Sequence, residues 1–198
     1  IRMAIVLRIE TATSVCAVAF HDNGNLKGSN TFYLEKSHSA LLVPMIDALI
    51  ERCGYQKADL DAVAVSEGPG SYTGLRIGVS TAKGYCYALE VPLIAINTLY
   101  GLSYQVGKFA NNDQVLCPML DARRMEVYTC LLNHQQEIIK PTYPLVVEEA
   151  SFKDQLDKSE VLFFGNGAGK CREVIKHPNA IFIESVEPSA DHIGYLAY

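Results

Sequence analysis

No two cysteines in this 198-residue chain stand at C-x-x-C spacing, and none has the spacing of a zinc site. The common redox and structural-metal classes are thereby excluded. The six cysteines, Cys16, Cys53, Cys86, Cys117, Cys130 and Cys171, lie in apolar runs, where cysteine acts as a small hydrophobe. A reducing compartment, the cytoplasm, is the expected setting. The histidines are equally uninformative as ligands. His21, His38, His134, His177 and His192 form no His-x-x-x-His pair, and H-E-x-x-H is absent. A metal held by two histidines on one helix face is excluded, and with it the residues of a metallopeptidase. No apolar run reaches membrane-spanning length, so no membrane association is expected. Basic residues are outnumbered, 17 Lys and Arg against 22 Asp and Glu, for a net charge of −5. A dominant nucleic-acid surface, which needs clustered Lys and Arg, is not expected.

What is present is a packed-core composition, 49% apolar, with strongly patterned segments. Met3 to Ile9 is nearly all apolar, as in a central strand. Val15 to Phe20 and Leu26 to Leu34 read as two more strands, joined by the hairpin turn Asp22-Asn23-Gly24-Asn25. A helix is expected from Ser39 to Cys53, capped near Ser37 and ended by Gly54. The strand Ala62 to Ser66, a helix from Thr73 to Leu89 and the strand Pro92 to Ile96 follow, with Thr98 as the cap of another helix. The pattern then starts again. Val115 to Leu120, Met125 to Leu132 and Glu137 to Ile139 repeat the three strands, and Val161 to Phe164 leads through Gly165-Asn166-Gly167 to an expected helix from Ala168 to Lys176. The two acid-bearing turns Ile9-Glu10-Thr11-Ala12-Thr13 and Leu120-Asp121-Ala122-Arg123-Arg124 line up. This is an α/β chain built by duplication of a βββαβαβ half, the ribonuclease H-like, actin-like order. The expected halves are residues 1–98 and 99–198.

The most distinctive word joins the fourth strand to the second helix: Gly68-Pro69-Gly70-Ser71-Tyr72-Thr73-Gly74-Leu75-Arg76. Glycine tolerates backbone angles that other residues avoid, and Ser71 and Thr73 can cap a helix. A strand, a glycine turn and a helix N-terminus can cradle an anion, or can simply make a tight connection. A Walker loop does not fit, because no Lys-Ser/Thr pair follows the last glycine. Gly165 and Gly167, with Thr11, are candidates for holding a nucleotide base or phosphate. Neither acid-bearing turn contains glycine, so β-carbons are expected to crowd a polyphosphate there. Ser14, Ser71 and Thr73 have no identifiable base or orienting group, so no catalytic residue is named. Arg8 is expected to pair with a nearby acid, and His38 to serve packing at a helix start.

The two helices carry a surplus of apolar surface. At 100° per residue, Leu42, Ile46, Leu49, Ile50 and Cys53 form one stripe of the first helix, and Leu41, Pro44, Met45 and Ala48 a second. On the second helix, Ile77, Thr81, Gly84 and Ala88 form a face of small residues opposite Leu75, Val79, Ala82, Cys86 and Leu89. A surface helix needs only one apolar stripe. Leu41, Met45, Ala48, Ile77, Thr81 and Gly84 are therefore expected at a partner surface, the alternative being burial within the chain.

The word GPGSYTGLRIG resembles the signature of the TsaB family. Ile9-Glu10-Thr11-Ala12-Thr13, Ser37-His38-Ser39-Ala40-Leu41-Leu42-Val43-Pro44 and Asp121-Ala122-Arg123-Arg124-Met125-Glu126-Val127-Tyr128 agree with it. The likeness spans the first two thirds of the chain and departs at Tyr72, usually Phe, and Glu10, usually Asp. It implies an actin-like fold and a non-catalytic subunit that activates a catalytic paralogue. That paralogue would transfer a threonylcarbamoyl group to N6 of the adenosine at position 37 of certain tRNAs, with an ATPase as third component. It implies pairing through the two helices, with a copy of itself when alone, and tRNA held mostly through the partner. No cofactor of its own is expected, although a nucleotide at the partner surface is compatible with the resemblance. Related chains run some tens of residues further, so a C-terminal segment is expected beyond Tyr198. An ATP-dependent phosphotransferase of the actin-like group is the alternative, and a metallopeptidase a third.

Overall fold

The computed structural model describes residues 4–34 and 38–193. Met3 and the expected cap Ser37 lie outside the described residues. The chain divides into two compact units: residues up to Gly101 with those from Pro188 onward, and Leu102–Glu187. The chain from Pro188, assigned by pattern to the second half, instead belongs to the first unit.

In the first unit, β1 (Ile5–Glu10), β2 (Val15–Asp22) and β3 (Asn25–Tyr33) form an antiparallel meander. Asn23 (φ 57°) and Gly24 (φ 75°) are both left-handed, as a two-residue hairpin turn requires. Then come α1 (His38–Arg52), β4 (Ala62–Gly68), α2 (Tyr72–Leu89), β5 (Leu93–Asn97) and α3 (Thr98–Gly107), which runs across the unit boundary. Asn97, not Thr98, supplies the side chain at the start of α3: its Oδ1 accepts the Leu99 N–H at 3.0 Å. The sheet order is β3-β2-β1-β4-β5, with β4 and β5 parallel to β1.

Both faces of β1 are buried, which explains its unbroken apolar run. One face carries Leu7 and Ile9, with Val18, Phe20, Val63 and Val65 beside them, against Leu42, Ile46, Leu49 and Ile50 of α1 and Ala82 of α2. The other face is lined by small residues. Ala17, Ala19, Ala62 and Ala64 flank Arg8 and Glu10, and Ala190 of α5 (Ala190–Ile193) covers Val15, Ala17 and Ala19. Arg8 is fully buried there. Alanines on both neighbouring strands leave the volume that its long side chain fills.

The second unit repeats the topology. β6 (Val115–Asp121), β7 (Glu126–Asn133) and β8 (Ile138–Val146) form the meander; α4 (Lys153–Leu156), β9 (Val161–Phe164) and β10 (Ala180–Ile183) complete it. Read from β8, the order is β8-β7-β6-β9-β10, the same as in the first unit. β8 runs well beyond the expected Ile139, through Pro141 and Pro144, which an edge strand tolerates because it need not donate on its outer side. The expected helix from Ala168 to Lys176 does not form. Only a 3-10 turn at Gly169–Cys171 is present, continued by single bonds such as Val174 N–H to the Cys171 carbonyl. Gly167 and Gly169 raise the entropy cost of a helix there, and Pro178 stops it soon after. Burial of Ala168, Cys171 and Ile175 against Met119 and Phe163 holds the segment instead.

All six cysteines are free. Burial pushes the Cys130 thiol up to about 12, so it stays protonated and apolar. Because Ala190 is fully enclosed against the alanine face, Ala190→Leu overpacks the first unit. A loss of about 1–3 kcal/mol in urea denaturation is expected; an unchanged midpoint would contradict this packing.

Candidate functional site

The β1–β2 turn and the glycine word of the sequence meet in the first unit. β4 ends at Gly68 (φ 118°), followed by a cis Gly68–Pro69 peptide and Gly70 (φ 156°). The Ser71 N–H then donates to the Ala12 carbonyl at 2.6 Å, and Ser71 Oγ caps α2 by accepting the Gly74 N–H at 3.3 Å. The three following contacts explain the glycines. A β-carbon on Gly70 would sit 2.3 Å from the Ala12 oxygen, one on Gly74 2.1 Å from the Thr11 oxygen, and one on Gly78 2.2 Å from Thr11 Oγ1. Glycine at these positions lets the loop and the first turns of α2 lie directly on the Glu10–Thr13 turn.

Glu10 organises that turn from beneath. Its Oε1 accepts the Ala12 N–H at 2.7 Å, and its Oε2 takes the Ser66 hydroxyl from β4. Complete burial pushes the Glu10 carboxyl up to about 7, against the lowering effect of the Ser66, Ala12 and Thr11 hydrogen bonds. Thr13 Oγ1 accepts the Val15 N–H at 3.2 Å. His38 Nε2 lies 3.2 Å from the Val15 carbonyl, a contact that needs the proton on that nitrogen. Ser71 is thus a cap, while Thr73 and Ser14 are exposed.

The second unit solves the same problem in the same way. A β-carbon on Gly165 (φ 95°) would lie 2.4 Å from the Met119 oxygen, and one on Gly167 2.8 Å from the Leu120 carbonyl carbon. The Gly167 N–H donates to the Met119 carbonyl at 3.0 Å, and Asn166 Oδ1 accepts the Asp121 N–H at 3.0 Å. Lys170 donates to the Asp121 carboxylate and, at 2.7 Å each, to the Arg124 and Glu126 carbonyls. That ammonium holds the Asp121 carboxyl below the usual carboxylate range.

These turns do not fit a polyphosphate. A phosphate at the first would have to displace the Ala12 carbonyl from Ser71 and the Glu10 carboxylate from Ala12. At the second it would compete with β6 for the Gly167 N–H and with Asp121 for Lys170. Of the nucleotide candidates, Gly165 and Gly167 lie against β6 of their own unit, and Thr11 packs under Gly74 and Gly78 with its hydroxyl buried and without a hydrogen-bond partner among the described residues. No group of three His, Cys, Asp or Glu able to hold a metal exists among the described residues.

The partner-surface candidates divide. Met45 is not at the surface: it is 4% exposed, with its sulfur 3.9 Å from Cys16 Sγ inside the first core. Of the second stripe of α1, Met45 alone turns inward, toward Cys16 of β2 and the core that also takes Leu42 and Leu49. Leu41 and Ile77 are half-buried against the same core, and Ala48 and Thr81 are half-buried. Gly84 is exposed. Sequence reasoning missed a polar tie beside them: Asp47 of α1 accepts from Tyr85 Oη of α2 (2.9 Å) and from Lys57 Nζ (2.7 Å). Also exposed on α2 are the aromatics Tyr72 and Tyr87, 75% and 90% accessible.

Two mixed five-stranded sheets of identical order, each with an acid-bearing turn closed by glycines, define a duplicated actin-like protein. A family model described as TsaD, tRNA N6-adenosine threonylcarbamoyltransferase, matches residues 33–184. The tRNA threonylcarbamoyladenosine biosynthesis protein TsaB of Bacillus subtilis (strain 168) is 30% identical over 174 residues, 86% of this chain and 75% of that protein. The protein of the same name from Escherichia coli (strain K12) is 32% identical over 123 residues, 62% of this chain and 52% of its own length. This chain therefore spans three quarters of one relative and about half of the other. YeaZ from Pseudomonas aeruginosa superposes with a TM-score of 0.84 at 26% identity, covering 98% of this chain and 91% of that one. A Clostridium difficile activator of 2-hydroxyisocaproyl-CoA dehydratase, solved with bound ADPNP, shares the fold (TM-score 0.52, 12% identity) over 96% of this chain and 91% of its own. By these matches the chain belongs to the TsaB family, a branch of the fold that the TsaD model also describes.

Two outcomes test the geometry of the first turn. The Glu10 carboxyl is raised from 4.5 to about 7 in the fold, so its stabilising contribution is complete below the unfolded value and is lost as pH rises through 7. Glu10→Gln cannot ionise. Between pH 4 and pH 8 the parent should lose roughly 3 kcal/mol relative to this variant in urea denaturation; a pH-independent difference would contradict the buried carboxyl. Gly74→Ala should lower stability by about 1–3 kcal/mol, because the clashing atom is backbone. A neutral effect would mean that α2 does not rest on Thr11.

Proposed function

We propose that this chain is the non-catalytic subunit that binds and activates a catalytic threonylcarbamoyl transferase, an actin-like paralogue, in forming N6-threonylcarbamoyladenosine at position 37 of tRNA. Membership of the TsaB family supports the pathway. The catalytic partner carries the transfer, an ATPase serves as third component, and tRNA is held mainly through the partner. The chain works in the cytoplasm without a cofactor of its own, and forms a homodimer through the same face when alone. No helix among the described residues is long and apolar enough to cross a membrane.

The observation that carries the docking part of this reading is Gly84. It stands in the interior of the 18-residue α2, exposed, with nothing within 4 Å of the β-carbon it lacks. Glycine there weakens the helix relative to alanine by about 0.5–1 kcal/mol. The own chain draws no benefit from it, in contrast to Gly74 and Gly78. Close approach of a second backbone is the physical use of a small residue on an open helix face. Leu41, Pro44 and Ala48 of α1 and Ile77, Thr81, Gly84 and Ala88 of α2 make up the surface, with Tyr87 beside it. Met45 is replaced in this set by the exposed Pro44.

The phosphotransferase alternative requires two open phosphate turns, and each turn is closed by its own chain. The metallopeptidase alternative requires a ligand set.

Gly84 gives a clean test. Gly84→Ala should stabilise the isolated chain by about 0.5–1 kcal/mol. Gly84→Gln should leave its melting curve intact and abolish co-elution with the catalytic subunit on size exclusion. Retained co-elution of the glutamine variant would rule out this face.

A further inference from the structure

We infer that the guanidiniums of Arg123 and Arg124, held outward on the self-closed β6–β7 turn of the second unit, contact backbone phosphates of an RNA. The inference rests on the functional reading above for the choice of RNA, and on the following geometry for the site itself.

Arg123 (φ 78°) and Arg124 (φ 48°) are consecutive residues in the left-handed region. Glycine and asparagine adopt that conformation readily; a long side chain does so at a cost in energy. Two such residues in succession persist only where the surroundings over-determine them, and strain of this kind concentrates at functional positions. The surroundings here do so. The Arg123 N–H donates to Asp121 Oδ1 at 3.0 Å, the Glu126 N–H to the Arg123 carbonyl at 3.0 Å, and the Ala122 N–H to the Glu126 carbonyl at 3.1 Å. Lys170 ties the turn from outside through the Asp121 carboxylate and the carbonyls of Arg124 and Glu126.

The side chains gain nothing visible from this arrangement. Both arginines are exposed, and neither guanidinium has an ion pair among the described residues. The Asp121 carboxylate, the acid nearest to them in sequence, is engaged by Lys170. Glu126, the other acid of the turn, is half-buried. A chain of net charge −5 thus spends backbone strain and a lysine to hold two uncompensated guanidiniums on a stiff turn. Guanidinium forks match phosphate oxygens bidentately, and a stiff turn loses little entropy on binding. Two arginines make a local contact, not a large basic surface, which suits a subunit whose partner holds most of the RNA.

The test uses the full chain and a labelled, unmodified tRNA transcript, titrated by fluorescence anisotropy at a series of KCl concentrations. The double variant Arg123→Gly/Arg124→Gly relieves the backbone strain. Its urea midpoint should be equal to or above the parent's, its RNA affinity about tenfold lower at low salt, and the slope of log K against log salt smaller by about 2. Arg123→Gln/Arg124→Gln keeps a polar side chain at both left-handed positions while removing the charge, and should lose the RNA contact equally. A parent that does not bind the transcript, or a slope that neither variant changes, overturns the inference. So does a double variant that keeps its RNA slope and loses co-elution with the catalytic subunit, which would make the turn a protein contact. Failure of the functional reading is separate: it shows as a parent chain that does not co-elute with that subunit.

Discussion

The hydrogen bond from the Ser71 N–H to the Ala12 carbonyl is the contact on which the first unit is organised. It can form only because Gly70, Gly74 and Gly78 have no β-carbons, so that the β4–α2 loop and the start of α2 lie on the Glu10–Thr13 turn. Once they do, the Ser71 N–H at this helix start points at the Ala12 carbonyl, and the Gly74 N–H at Ser71 Oγ. The Glu10 carboxyl takes the Ala12 N–H from below and the Ser66 hydroxyl from the neighbouring strand. The turn is closed here by the chain itself. The same self-contact recurs where Gly165 and Gly167 lie on the end of β6 and Lys170 is spent on Asp121.

This closure shifts the burden of function from the turns to surfaces. α2 is fixed in position at its N-terminal end by the Thr11 contacts and tied to α1 through Asp47 and Tyr85. Its outer face is then a rigid presentation of Thr81, Gly84 and Ala88. The β6–β7 turn is fixed by Lys170 and presents Arg123 and Arg124. In each case the interior contact supplies the stiffness and the exposed residues supply the chemistry.

The meanders, the parallel strands and the duplication were legible in the sequence because the central strands have clear apolar runs and the β2–β3, β6–β7 and β7–β8 turns carry Asn, Asp or Gly. The glycine word was legible as a structural signal, but its purpose was not. Only the fold reveals that Gly74 and Gly78 face Thr11 while Gly84, on the same helix, faces nothing. Met45 was misplaced because helical projection distinguishes stripes but not which stripe the sheet covers, and Cys16 on β2 decides that. The segment from Ala168 to Lys176 has helical spacing of buried positions, yet two glycines and the need to follow β6 keep it in turns. The left-handed arginines carried no signal at all, since the residues usual in that conformation are glycine and asparagine.

Amide hydrogen exchange at Ala12 and Ser71, with and without saturating Mg-ATP, tests the central claim most directly. The account predicts slow exchange at both positions in the free chain and no change when nucleotide is added. Fast exchange in the free chain, suppressed by Mg-ATP, would show that the turn is an open phosphate site and would contradict the account.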